Sequence, residues 1–169
     1  VVVIRLTSSL AKKMSLKLTE TQDQSTSKLG DWYASDFRLG SKHLILCTSS
    51  IGRWPIVISA APYKNFHERL IAELKPSLKW LGISDNLIDK ELSHFNEIQY
   101  GKNEDRSLVG TMVDSIKTCE HYFYSDPEIS SDLSEISKKL AHIPHMSKVK
   151  GWPEDMTREA LQKPALKLV

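Results

Sequence analysis

The chain opens on Val1-Val2-Val3-Ile4-Arg5-Leu6, and no other stretch restricts its fold as tightly. A near-continuous apolar run rich in β-branched side chains fits a strand buried on both faces, because a half-exposed strand alternates apolar with polar. Such a strand needs a sheet around it. Asp31–Leu39, Lys42–Thr48 and Arg53–Ala60 supply candidates: Gly40-Ser41 makes a two-residue hairpin turn between the first two, and Ser49-Ser50-Ile51-Gly52 precedes the third. Leu44, Ile45, Leu46 and Cys47 are all apolar, which predicts a central position for their strand. Pro55 falls near the start of the next one, where a missing donor is tolerated.

Helical signals dominate the remainder. Thr7, Ser8 and Ser9 can cap a short helix through Leu10, Ala11 and Met14. Residues 19–30 are polar without an apolar period and predict a flexible surface loop. Phe66, Leu70, Ile71, Leu74, Leu78 and Leu81 follow helical spacing, with Pro76 as a kink or break, and Ser84-Asp85 starts a second helix through Leu87, Ile88, Leu92 and Phe95. Glu97–Tyr100 reads as a short strand. Asp105 then caps a helix running to about Tyr124, with Leu108, Val109, Met112, Val113, Ile116, Cys119 and Phe123 as its apolar stripe. A further helix over Glu128–Leu140, a turn over Ile143–Trp152 and a last helix after Pro153 complete the chain. Strands gathered early and helices gathered late predict an α+β fold. In it a mostly antiparallel sheet, built from the N-terminal third, packs one face against the C-terminal helices. We expect a single domain over 1–169, with 125–169 a helical C-terminal extension of it.

With 169 residues, 40% hydrophobic and 26% charged, the chain can bury a self-sufficient core, and collagen, coiled coil and bulk disorder are excluded. Cys47 and Cys119 lie in apolar stretches and form no CxxC pair, so we expect no zinc knuckle, no disulfide framework and a reducing, cytoplasmic setting. No run of apolar residues is long enough for a membrane span, and polar residues follow Leu6 where a signal peptide would have its cleavage site. The net charge of +2 is uneven: residues 1–60 carry eight Lys/Arg against four Asp/Glu, and residues 61–169 fifteen against seventeen. That surplus is far below what a dedicated nucleic-acid binder shows.

Three segments could carry chemistry. The first is Gly101 to Asp114, where Lys102, Asn103 and Ser107 sit at a helix start whose unpaired N–H groups favour an anion. The P-loop pattern is absent, and Glu104 and Asp105 would repel a phosphate. Arg106, Gly110, Asp114, Lys117 and His121 fall along one side of that helix. A plain structural account of them pairs Arg106 and Asp114 in internal ion pairs and uses Gly110 as packing room. The second segment is Leu29-Gly30-Asp31-Trp32-Tyr33-Ala34, in which Trp32 and Tyr33 point to opposite faces of a strand, one as core and the other partly exposed. The third is Thr48-Ser49-Ser50 at a strand end. The six histidines form no HxH or HExxH pair, and no acidic cluster has metal spacing, so neither a metal site nor a cofactor is expected.

These same segments resemble an uncharacterised family of small bacterial domains of unknown function. The likeness rests on Leu29-Gly30-Asp31-Trp32-Tyr33-Ala34, on Thr48 after an apolar strand, and on Gly101-Lys102-Asn103, Asp105-Arg106-Ser107, Gly110, Met112 and Asp114. Ile143-Pro144-His145-Met146 and Gly151-Trp152-Pro153 are similar to the tail of such proteins. Ser35, Ser49 and Val113 stand where asparagine is usual, so three potential polar ligands of the pattern are replaced. The resemblance implies a shared early sheet and a helix introduced by Asp105-Arg106-Ser107. It also implies that Asp31, Thr48 and Arg106 meet.

The candidate binding residues are therefore Asp31, Trp32, Tyr33, Thr48, Lys102, Asn103, Asp105, Arg106, Ser107 and Asp114. No catalytic constellation is legible. We expect a non-catalytic binding or regulatory protein of bacterial or phage origin, such as a toxin–antitoxin, phage-defence or counter-defence component with a protein partner. One alternative is an enzyme acting on a nucleotide or phosphoester, with Lys102 and Arg106 on phosphate and Asp31, Asp105 or Asp114 as base or metal ligand. Another is a nucleic-acid binder using Trp32, Tyr33 and Trp54 as stacking surfaces.

Overall fold

Strand β1 (Val2–Leu6) is buried at every position, Arg5 included. The computed structural model describes residues 1–20, 23–126, 132–146 and 150–164. In it β1 lies inside a five-stranded sheet with β2 (Trp32–Leu39), β3 (Lys42–Ser49), β4 (Pro55–Ser59) and β5 (Ile98–Lys102), in the order β4-β3-β2-β1-β5. β3 is interior, as its apolar run predicts. The fold is α+β, but the sheet is mixed: β1 runs parallel to both β2 and β5, whereas β2–β3 and β3–β4 are antiparallel. A tight hairpin can join only antiparallel neighbours; β1 reaches β2 through helix α1 (Ser8–Lys13) and a long crossover, which permits the parallel pairing.

Helices cover both faces of the sheet, not one. Val2, Ile4, Leu6, Trp32, Ala34, Ile45, Cys47, Ile56 and Ile58 form one core with α1, α2 (Phe66–Trp80), α3 (Asp85–Ser93) and α6 (Pro153–Gln162). Tyr33, Leu39, Leu44, Leu46 and Val57 point the other way, onto α4 (Arg106–Ser125) and α5 (Leu133–Ala141). A strand apolar on both faces demands this layering, because leaving either face wet costs about 25 cal/mol for each Å² of apolar surface.

Local chemistry accounts for the element ends. The side chains of Thr7, Ser84, Asp105 and Asp132 each accept an amide hydrogen bond at the start of α1, α3, α4 and α5. Helix α2 continues through Pro76 and buries Phe66, Leu70, Leu74 and Leu78 on one side. The third predicted strand begins at Pro55 instead of Arg53, because residues 50–53 form a turn in which Arg53 has φ +55°. The expected start of a helix at Glu128 lies outside the described residues. The outer edge of β4 is tied to α5, where the Val57 amide donates to Ser137 Oγ at 2.9 Å.

In place of the expected turn before the last helix, β6 (His145–Met146) and β7 (Lys150–Gly151) pair antiparallel and lead into α6. That helix sits directly on the β3–β4 turn: Gly52 has φ +85°, and a Cβ there would lie 3.0 Å from Thr157 Cα. The loop read as flexible is anchored over Ser25–Leu29. Val3 N donates to Ser25 Oγ at 2.8 Å, and the Lys28 and Leu29 amides donate to the buried carboxylate of Glu91 at 3.0 and 3.1 Å.

Candidate functional site

Arg5 is a charge inside an apolar strand, so it must be paired where it stands. Its side chain lies on the α4-facing side of the sheet, where Nε donates to Asp31 Oδ2 at 2.7 Å, and Nη1 meets the Lys102 carbonyl at 3.1 Å and Glu104 Oε1 at 2.9 Å. Burial lowers the guanidinium pKa, but the hydrogen bond and charge of Asp31 outweigh it, with Glu104 assisting, and the net direction is upward. The other oxygen of Asp31 accepts from the Ser25 amide at 3.1 Å and the Ser25 hydroxyl at 2.7 Å, which sews the preceding loop to the sheet.

A second buried guanidinium, Arg53, enters from the β3–β4 turn. It is 4% exposed, and its Nη2 stands 3.7 Å from Asp105 Oδ2, a distance for attraction between charges but too long for a hydrogen bond. Nη1 is shut off from solvent with no hydrogen-bond partner, as is Asn103 Oδ1 on the loop before α4. Burial holds the Arg53 pKa below its ordinary value, partly offset by Asp105. Asp105 has two duties: Oδ1 caps α4 by accepting from Leu108 N at 3.0 Å, while Oδ2 faces Arg53. The Asp105 amide donates to Tyr33 Oη at 3.3 Å, and burial raises the Tyr33 phenol pKa. His145 on β6 is half-buried, and burial together with the charge of Arg53 pushes its pKa down.

The geometry sorts the sequence candidates. Asp31, Tyr33 and Thr48 share one face, since Tyr33 and Thr48 are register partners across β2 and β3, and Asp105 joins them through Tyr33. Asn103 lies in the loop between β5 and α4. Trp32 points to the opposite core. Arg106 does not join the group: it is exposed, and among the described residues neither its side chain nor the Asp114 carboxylate forms the internal ion pairs expected of them. Lys102 contributes its carbonyl, not its exposed ammonium. Ser107 lies in the first turn of α4, and Asp114, further along the helix, lines a separate cleft of about 290 Å³ with Thr111, Ser115, Thr118 and His145.

Two aromatic expectations also change. Trp32, Tyr33 and Trp54 are all buried, so none offers a stacking surface. Arg5 and Arg53, a quarter of the basic residues counted in the amino-terminal surplus, are internal and lend little to the surface field. Neither arginine is among the residues that the sequence singles out. A charge inside the Val1–Leu6 run was a signal for Arg5; Arg53 in its turn carried none.

A polar cleft of about 480 Å³ opens beside this cluster, lined by Arg5, Ser25, Gly30, Asp31, Ile51 and Glu104. Among the described residues no group of three or more His, Cys, Asp or Glu side chains is arranged to hold a metal ion. No described helix is long and apolar enough to cross a membrane.

An α+β domain with an internally paired polar cluster at one end of its sheet defines a structural class but no reaction. The chain belongs to the family described as Domain of unknown function (DUF6933), whose model matches residues 3–156. No curated protein and no solved structure matches it.

Proposed function

We propose that the protein is a non-catalytic binding protein that holds a protein partner through the outward face of α4, in the manner of a toxin–antitoxin, phage-defence or counter-defence component of bacterial or phage origin. The observation that carries this reading is a row of exposed residues at helical spacing: Arg106, Gly110, Val113, Lys117, Glu120 and Tyr124. Val113 and Tyr124 are 47% and 73% exposed, unusual for large apolar side chains on a helix that also has a core to serve. Gly110 costs the helix about 1 kcal/mol relative to Ala. A Cβ at Gly110 would meet nothing within 4 Å, so internal packing does not call for a glycine there. An open glycine between a charge and an exposed valine suits close approach by another backbone.

The mixed sign of the row, with Arg106 and Lys117 beside Asp114 and Glu120, favours a protein surface over a nucleic-acid backbone, which would repel the carboxylates. Two of the three carboxylates that an enzyme reading would use as bases are committed to structure, Asp31 to Arg5 and Ser25 and Asp105 to the α4 cap, and the third, Asp114, is exposed on α4. The reading includes a reducing, cytoplasmic setting, which two buried free cysteines support.

Co-purification from cells of the native host, with the full chain as bait, tests it. Wild type should retain a stoichiometric protein that Gly110→Arg and Val113→Glu both lose while their melting temperatures stay within about 3 °C of wild type. Retention of the same protein by both variants would show that α4 is not the contact face.

A further inference from the structure

We propose that Arg53 and the amino end of α4 form a seat for a phosphoryl group, which the Asp105 carboxylate occupies as an internal stand-in. Arg53 is the reason to look there. A guanidinium presents five N–H donors, yet this one, 4% exposed, donates no hydrogen bond to any described residue, and its Nη1 is an orphan within the protein. The carboxylate facing it is that of Asp105, with Oδ2 at 3.7 Å from Nη2. The backbone of Arg53, at φ +55°, holds the side chain in that position through a conformation that L residues avoid.

The direction in which Arg53 points supplies the rest of the seat. Asp105 is the N-cap of α4, a helix of 20 residues, so Arg53 is aimed at a helix amino end. Asp105 Oδ1 satisfies Leu108 N; the amides of Arg106 and Ser107, in the first turn, have no partner within the helix. Free first-turn amides at the positive end of a helix dipole, with a guanidinium facing the same N-cap, are a recognised arrangement for phosphate oxygens. The repulsion expected from Glu104 is reduced because its carboxylate is held on Arg5 at 2.9 Å. Asp105 is 42% exposed, so the stand-in lies where solvent and solute can reach it. An arriving phosphoryl group replaces the long Asp105–Arg53 contact with direct hydrogen bonds, while the cap bond to Leu108 holds the helix start.

The test removes the stand-in without removing the cap. Asparagine caps helices as well as aspartate does, so Asp105→Asn keeps α4 but takes away the competing charge. Inorganic phosphate is titrated into the full-length wild type, D105N and the double variant D105N/R53K, followed by melting temperature and by calorimetry up to about 20 mM. The expected result is phosphate affinity at least about tenfold higher in D105N than in wild type, and at least about tenfold lower in D105N/R53K than in D105N. No phosphate-dependent stabilisation of a folded D105N overturns the proposal, as does equal affinity of D105N and D105N/R53K. A parallel titration with adenosine monophosphate distinguishes the source: affinity close to that of phosphate assigns the free anion, and affinity at least about tenfold tighter assigns the phosphoryl group of a larger ligand. Neither outcome depends on a protein partner, because phosphate or the nucleotide is the sole ligand added to the purified chain.

Discussion

Arg5 and Arg53 are both buried, and they differ in how their charge is met. Arg5 has Asp31 at 2.7 Å, Glu104 at 2.9 Å and a backbone carbonyl; Arg53 has one carboxylate at 3.7 Å. The two partners of Arg5 are unequal, because the Asp31 side chain is 17% exposed and that of Glu104 is 56% exposed. Asp31→Ala should therefore lower unfolding free energy by about 3–5 kcal/mol, the range for stranding one charge of a buried pair. Glu104→Gln should cost less than about 1 kcal/mol, as an exposed ion pair does. Urea denaturation of the two variants checks this, and a larger loss in E104Q would reverse the assignment of the structural partner. Asp31 was legible as a candidate because it follows Gly30 at the start of a strand. That it serves as the anchor of Arg5 was not legible, since the two lie 26 positions apart.

At the scale of elements, most of what the chain builds was readable locally. The Asp105, Thr7 and Ser84 caps and most of the α4 stripe follow from spacings of three and four residues and appear in the structure where predicted; Val113, expected in the stripe, is instead exposed. The third strand was misplaced at its start because a turn with a left-handed arginine leaves no compositional mark. Pro76 was read as a kink or break, yet α2 continues to Trp80, its buried Leu74 and Leu78 packed into the core on either side of the proline. Gly110 gives a prediction at this scale. Gly110→Ala should raise unfolding free energy by about 1 kcal/mol, since the position is helical, has no positive φ and leaves open space for a methyl group. Destabilisation in a denaturation experiment would mean that Gly110 is required by the fold of α4 itself.

At the scale of the whole molecule, one sheet separates two cores, and each holds one cysteine: Cys47 lies with α1, α2 and α3, and Cys119 with α4 and α5. Burial pushes the Cys119 thiol up to about 12 and moves the Cys47 thiol in the same direction. At about pH 8, where an exposed thiol is partly ionised, neither should react with a maleimide while the protein is folded. As urea is raised, Cys119 should label before Cys47, because the α4–α5 core is the smaller and should open first. Mass spectrometry of labelled peptides reads the order, and labelling of Cys47 first would show that the other layer is the weaker one.

The chain's sequence by itself determined most of the segments that become strands and helices, where most of them start, and that β1 must be covered on both sides. Those properties depend on side chains within a turn or two of each other, or on the polarity of a single strand. Only the tertiary structure decided that β1 pairs in parallel with both neighbours, that helices flank both faces, and that Arg5, Asp31, Tyr33, Arg53 and Asp105 share one end of the sheet. The reason is separation along the chain: the bond from Arg5 to the Lys102 carbonyl spans 97 positions, and no local spacing encodes a contact of that kind.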